Sequence, residues 1–277
     1  MPIIAAIMLP HPPLIVPRVG RGQEKQVSKT IAAYRQAARW LLKSEPESLI
    51  VSSPHAPMYA DRFHVSSGTA YGDFGQFGVP EYAQRVTGDP VLAEEIVRLA
   101  QSEGFPCGLT AAGDRRLDHA TMVPLHFLTD AAGGEFTIPV LRMSLSGLSF
   151  KDHYHMGRLI AQAADGLGRR VAFVASGDLS HYLTREGPYG YRAEGPQYDE
   201  KLMDIMGRAA FGELLKLPLP FCDRAGECGH RSFIIMAGAL DGRKVQADCL
   251  SYEGVTGVGY GVCTFLPGEE DTARAFA

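Results

Sequence analysis

Val171-Ala172-Phe173-Val174-Ala175-Ser176-Gly177-Asp178-Leu179-Ser180-His181 is the stretch from which the rest of the chain can be read. Its opening residues are all apolar, rich in β-branched and aromatic side chains, and show no polar face, as in a strand covered on both sides. The run ends in Ser-Gly-Asp, residue types that turn the chain, and a histidine follows. The pattern recurs upstream. Ile3 to Leu9 is a nearly continuous apolar run that breaks at His11-Pro12-Pro13, where proline cannot supply a ladder donor. Leu49-Ile50-Val51 breaks in the same way at Ser53-Pro54-His55-Ala56-Pro57. Between these two runs Val27, Ile31, Tyr34, Ala38, Leu41 and Leu42 recur at helical spacing until Pro46 closes the pattern.

Further along, Asp89-Pro90 predicts a helix start, with Leu92, Ile96 and Leu99 on one face and Gly104 as the stop. Pro124 is expected to open another helix just after Asp118-His119. A strand is expected near Ile138 to Met143, then a helix through Met156, Leu159, Ile160 and Ala163 that stops at Gly166. The Gly/Pro/Tyr-rich stretch from Gly187 to Gln197 reads as a long surface loop of the kind that covers active sites. Helical segments are expected from Tyr198 to Leu217, a polar turn from Cys222 to His230, and a helix from Ser232 to Leu240. Alternating strands at Val245–Tyr252 and Val258–Phe265 finish the chain. Strands alternating with helices give an α/β fold, read as a single domain over residues 1–277. Its central sheet is expected to be mostly parallel or mixed, with helices on both faces.

The 277 residues carry 27 Lys+Arg against 31 Asp+Glu, a formal net charge of -4 with no basic stripe, which argues against nucleic acid and anionic membrane as partners. The 5 cysteines, Cys107, Cys222, Cys228, Cys249 and Cys263, are scattered and lack CxxC spacing. Reduced thiols and a cytoplasmic location are therefore expected. The first residues lack a basic leader region, and no apolar run approaches the ~18 residues a membrane span needs.

In open α/β sheets ligands bind beyond the carboxyl ends of the strands, which are the positions of His11, His55 and His181. Each histidine singly also fits a loop residue satisfied by backbone; the coincidence in a chain with 9 histidines carries the functional reading. Two imidazoles plus a carboxylate, with open positions, is the ligand set of iron(II) oxygenases. Glu227, flanked by glycines in Ala225-Gly226-Glu227-Cys228-Gly229-His230, offers the carboxylate. It equally fits a first-turn glutamate facing a helix dipole. Asp178 fits two roles as well, orienting a histidine or capping the next turn.

His11-Pro12-Pro13, Ser53-Pro54-His55-Ala56-Pro57, Asp118-His119 with Val123-Pro124-Leu125, Ser176 to His181, and Glu227-Cys228-Gly229 occur in this order along nearly the whole chain. Together they resemble the catalytic B subunit of class III extradiol ring-cleaving dioxygenases, the LigB-like superfamily, including relatives found with radical-SAM proteins. The resemblance implies that His11, His55 and Glu227 hold Fe(II), with zinc or manganese left open, and that His119 and His181 form an acid/base pair. It implies an oxidoreductase that opens a catechol-type ring with O2, and it leaves open a homo-oligomer or a second subunit. Two positions depart from the pattern. Ala120 stands where many relatives have glycine, and Cys228 beside Glu227 is similar to the Memo branch, in which a cysteine is a metal ligand. A Memo-like metal-binding or redox protein, or a metal-dependent enzyme of another reaction class, therefore stays open as an alternative.

Overall fold

The computed structural model describes residues 2–110 and 115–276. Its strands are β1 (Ile3–Leu9), β2 (Ser48–Ser53), β3 (Phe63–Ser66), β4 (Ala70–Phe74), β5 (Val79–Val86), β6 (Cys107–Leu109), β7 (Val140–Ser144), β8 (Val171–Ser176), β9 (Arg243–Glu253) and β10 (Tyr260–Glu270). Its α-helices are α1 (Pro17–Gly20), α2 (Ser28–Leu42), α3 (Pro90–Ser102), α4 (His119–Ala131), α5 (Phe150–Gly166), α6 (Glu194–Gly207), α7 (Leu219–Ala225) and α8 (His230–Ala239). An 8-stranded sheet runs in the order β6-β3-β7-β2-β8-β1-β10-β9, and β4 and β5 form a separate 2-stranded sheet. The strands β7, β2, β8 and β1 are mutually parallel, whereas β10 joins β1 antiparallel and β3 joins β7 antiparallel. The expected α/β class and mixed sheet are thus what the chain adopts.

The parallel strands are buried along almost their whole length because both faces are covered. Side chains alternate between two cores. Ala6, Met8, Ile50, Phe173 and Ala175 face the core built with α3, α5, α6 and α8, while Ile7, Leu9, Leu49, Val51, Ala172 and Val174 face the one built with α2 and α4. Each fully buried Ile, Leu or Phe contributes about 1.5–3 kcal/mol, so the middle of the sheet is the most firmly fixed part of the molecule, and the chain turns that leave it inherit that rigidity. Among the described residues no helix is long and apolar enough to cross a membrane.

Several expectations are corrected. Pro124 does not open a helix: α4 starts at His119, capped by Asp118, whose Oδ1 accepts from Thr121 N at 3.0 Å, and Pro124 lies inside it. The polar turn expected over Cys222 to His230 is shorter, since α7 occupies Leu219–Ala225 and α8 begins at His230. The short strands β3 to β6 go beyond the sequence reading; β5 is exposed at half of its positions and β6 has only 3 residues, so neither shows a run of apolar residues. Cys249 and Cys263 are also not free thiols. They face each other in the β9–β10 ladder, Cα atoms 4.1 Å apart, and are joined as a disulfide, which leaves Cys107, Cys222 and Cys228 free.

Candidate active site

The turns after β1, β2 and β8 converge with the start of α4. His11 is 2% exposed, and its Nε2 lies 3.1 Å from His55 Nε2. The His55 and His119 rings stack with centroids 4.3 Å apart, and the His11 ring meets the His119 ring edge-on at 5.4 Å. Ligand atoms of His11, His55 and His119 all lie within 4.8 Å of one another, and so do those of His11, Asp178 and Cys228. His11 belongs to both groups, with Cys228 Sγ 3.6 Å and Asp178 Oδ2 3.9 Å from its Nε2.

Backbone order explains the precision. Leu9 O accepts from Gly177 N at 2.9 Å, tying the β1 turn to the β8 turn. The amide of His11 donates to Asp178 Oδ1 at 2.7 Å, and Tyr34 OH donates to Pro10 O at 2.7 Å. Around His55, Ser53 Oγ accepts from the His55 amide at 3.1 Å and donates to Asp118 Oδ1 at 2.6 Å, so the cap of α4 also seats the β2 turn. The β8 turn is sewn to the segment after α7. Ser180 Oγ donates to Ala225 O at 2.7 Å, the His181 amide donates to Gly226 O at 3.3 Å, and Asp178 O accepts from Gly229 N at 3.1 Å. His181 Nδ1 also bonds Gly226 O, which puts the proton of the neutral ring on Nδ1 and leaves Nε2 as its basic atom.

Burial holds His11 well below the usual imidazole range, and repulsion from His55, His119 and His181 adds to it. The same desolvation lowers His55, opposed by Asp118, and brings His119 down to about 4, with His55 contributing. It also lowers His181, against the Gly226 carbonyl. The rings are thus neutral near pH 7, with lone pairs available to a metal or a proton. Burial pushes Asp178 up to about 7, partly offset by the His11 amide, and pushes the Cys228 thiol up, with Asp178 and Glu227 adding to it. Neutral imidazoles, a carboxyl group and a thiol that release protons on metal binding are a donor set that fits a first-row divalent ion.

Of the residues singled out from sequence, His11, His55 and His119 stand together, while His181 is not among their ligand atoms and would disfavour a charge on His11 and His55 only when itself protonated. Glu227 belongs to neither group of ligand atoms. Its Oε2 accepts from the His230 amide at 2.6 Å, the helix-terminus role that its position also fits, and burial pushes its carboxyl up to about 7 against that bond. Sequence reasoning passed over Phe77, whose ring meets His119 edge-on at 5.5 Å, and Tyr189, whose ring meets His181 edge-on at 5.2 Å while 58% exposed. Tyr189 lies in the long loop expected to cover a site, so a tyrosine in a Gly/Pro-rich loop was its signal; Phe77, from the turn between β4 and β5, left none.

A family model described as the catalytic LigB subunit of aromatic ring-opening dioxygenase matches residues 5–263. A protein of Clostridium acetobutylicum is 32% identical over 275 residues, covering 96% of this chain and 58% of its own length. The Escherichia coli enzyme named 2,3-dihydroxyphenylpropionate/2,3-dihydroxicinnamic acid 1,2-dioxygenase is 30% identical over 118 residues, 41% of this chain and 34% of its own. The chain therefore spans little more than half of the first relative and a third of the second. The crystal structure of an uncharacterized protein from Escherichia coli K12 superposes with a TM-score of 0.60 at 18% identity, over 95% of this chain and 99% of its own.

Proposed function

We propose, from the premise that this chain belongs to the family of the catalytic LigB subunit of aromatic ring-opening dioxygenases, that it is an extradiol dioxygenase acting on a catechol-type ring with Fe(II) and O2. The observation that supports this best is the meeting of His11 and His55 at 3.1 Å, with His119 stacked on His55. In this reading His11, His55 and Glu227 hold the metal. Iron(II) held there would supply Lewis acidity and a path for electrons between the ring and dioxygen.

The protein's own groups do the rest. His181, with its proton on Nδ1 held by Gly226 O, takes a phenolic proton at Nε2. His119, kept neutral by burial and stacked on His55, offers a ring N–H as a hydrogen-bond donor, and His181 returns the proton it has taken. Phe77 and Tyr189 carry aromatic edges to these two histidines and give a planar substrate apolar walls. Three free thiols, Cys107, Cys222 and Cys228, fit a cytoplasmic setting, and the Cys249–Cys263 disulfide is the one feature that counts against it.

A second reading has a specific observation in its favour: Asp178 and Cys228 bring ligand atoms within 4.8 Å of those of His11. There the metal is held by histidine, carboxylate and thiolate, and the protein is a Memo-like metal or redox protein.

One experiment separates the two. Protein purified without oxygen is loaded with iron(II), and oxygen uptake and the yellow ring-opened product are followed with a panel of catechols. His11→Ala, Glu227→Gln and Cys228→Ser are run beside the wild type. Ring-opened product that is lost in His11→Ala and Glu227→Gln but kept in Cys228→Ser supports the dioxygenase. Bound metal that depends on Cys228, with no oxygen consumed, rejects it in favour of the second reading.

A further inference from the structure

We infer that Pro124, in the interior of α4, is a positioning residue for His11, acting through the Ala120 carbonyl and the Ser176 hydroxyl. In an α-helix the amide of residue 124 would bond the carbonyl of residue 120, but proline has no N–H and its ring pushes that carbonyl aside. Ala120 O is instead taken by Ser176 Oγ, which donates to it at 2.7 Å. Ser176 is fully buried at the end of β8, so its single proton is committed to that bond. What remains on Ser176 Oγ is acceptor capacity, and the group facing it at 3.0 Å is His11 Nδ1.

A neutral imidazole that meets an acceptor at Nδ1 carries its proton there. His11 is therefore fixed as the Nδ1–H form, with the Nε2 lone pair turned toward His55 Nε2 at 3.1 Å and Cys228 Sγ at 3.6 Å. The chain of cause runs from a proline that weakens its own helix to the one nitrogen common to both groups of ligand atoms. It also gives a role to the proline of Val123-Pro124-Leu125. Because Ala120 contributes its carbonyl, its side-chain identity does not affect the relay.

The inference concerns the ring itself and uses the proposed metal role of His11 only for its affinity arm. The test uses the metal-free full chain with 15N-labelled histidine at about pH 8, where long-range proton–nitrogen correlation spectra report which ring nitrogen bears the proton. The wild type is expected to show His11 as Nδ1–H. In Ser176→Ala the Nε2–H form should appear, and in Pro124→Ala, where the restored amide competes for Ala120 O, a smaller shift in the same direction. Replacing proline by alanine favours the helix, so Pro124→Ala is the variant whose folding is not in question.

Zinc(II) affinity, read by competition with a chelating dye, should weaken about ten- to hundredfold in Ser176→Ala and less in Pro124→Ala. An Nε2–H wild type, or an unchanged spectrum in Ser176→Ala, overturns the relay. A shift in Ser176→Ala with none in Pro124→Ala removes proline from it. A tautomer that moves while zinc affinity does not would leave the relay standing and instead reject His11 as a metal ligand.

Discussion

Tyr34 is fully buried and makes one polar contact that matters, the bond from its hydroxyl to Pro10 O at 2.7 Å. That bond, the Asp178 carboxylate on the His11 amide and the Ser176 hydroxyl on the His11 ring hold the turn after β1 from separate elements. Removing the hydroxyl leaves a carbonyl with no partner in a dry environment. Tyr34→Phe should cost about 1–3 kcal/mol in the metal-free protein, measured by urea unfolding, and should weaken metal binding as the His11 turn loosens. The buried carboxyl of Asp199 shows the opposite kind of cost. It accepts from Ser180 N at 2.8 Å and Tyr252 OH at 2.7 Å, with no cation in contact among the described residues, and desolvation raises it to about 7 against those two bonds. Its folded pKa lies above the unfolded value, so folding favours the protonated form and stability is lost as pH climbs from about 4 to about 7. Asp199→Asn keeps an acceptor for Ser180 N and has nothing to ionise. Its melting temperature should therefore gain on the wild type steadily across that interval, and a constant gap would contradict the assignment.

Between elements, the tightest approach at the site is Gly177 against Gly229, where a Cβ on Gly177 would come 2.1 Å from the Gly229 Cα. The β8 turn and the Glu227 segment can lie side by side only because neither chain carries a side chain there. Gly177→Ala should cost about 1–3 kcal/mol and, because the strain falls between His11's partners and the Glu227 loop, should reduce metal stoichiometry even at temperatures where circular dichroism shows a folded protein. The strands that launch the site were legible because burial on both faces leaves an unbroken apolar run, and the prolines after β1 and β2 marked their ends. What could not be read was of another kind. Pro124 looked like a helix start because proline is commonest there, whereas the partner its missing N–H releases, Ser176 Oγ, is 52 residues away in the chain. The hairpin β4–β5 was invisible because one of its strands is exposed at half of its positions and carries polar residues between them. Cys249 and Cys263 looked unpaired because pairing depends on strand register, which spacing alone does not supply. The roles open to Glu227 likewise depend on which backbone amides reach it.

For the whole molecule, pH dependence is a balance between buried acids such as Asp199 and buried neutral imidazoles. His153 is fully buried, bonds Ser149 O at 2.8 Å through Nδ1, and is brought down to about 4 chiefly by desolvation, with the Ser149 carbonyl opposing. The unfolded ring takes its proton near 6.5 and the folded one near 4, so stability present at neutral pH drains away between those values. The advantage of wild type over His153→Asn should shrink over the same range, as followed by thermal unfolding in a pH series. The sheet order also sets a timetable. β8 lies between β2 and β1, and no bond of the sheet joins β1 directly to β2. His11 and His55 are made early, yet nothing aligns the two turns that carry them until residues 171–176 have been threaded into the gap. A nascent chain that has passed both histidines but not reached Val171 holds the two imidazoles without the geometry that the proposed metal role requires.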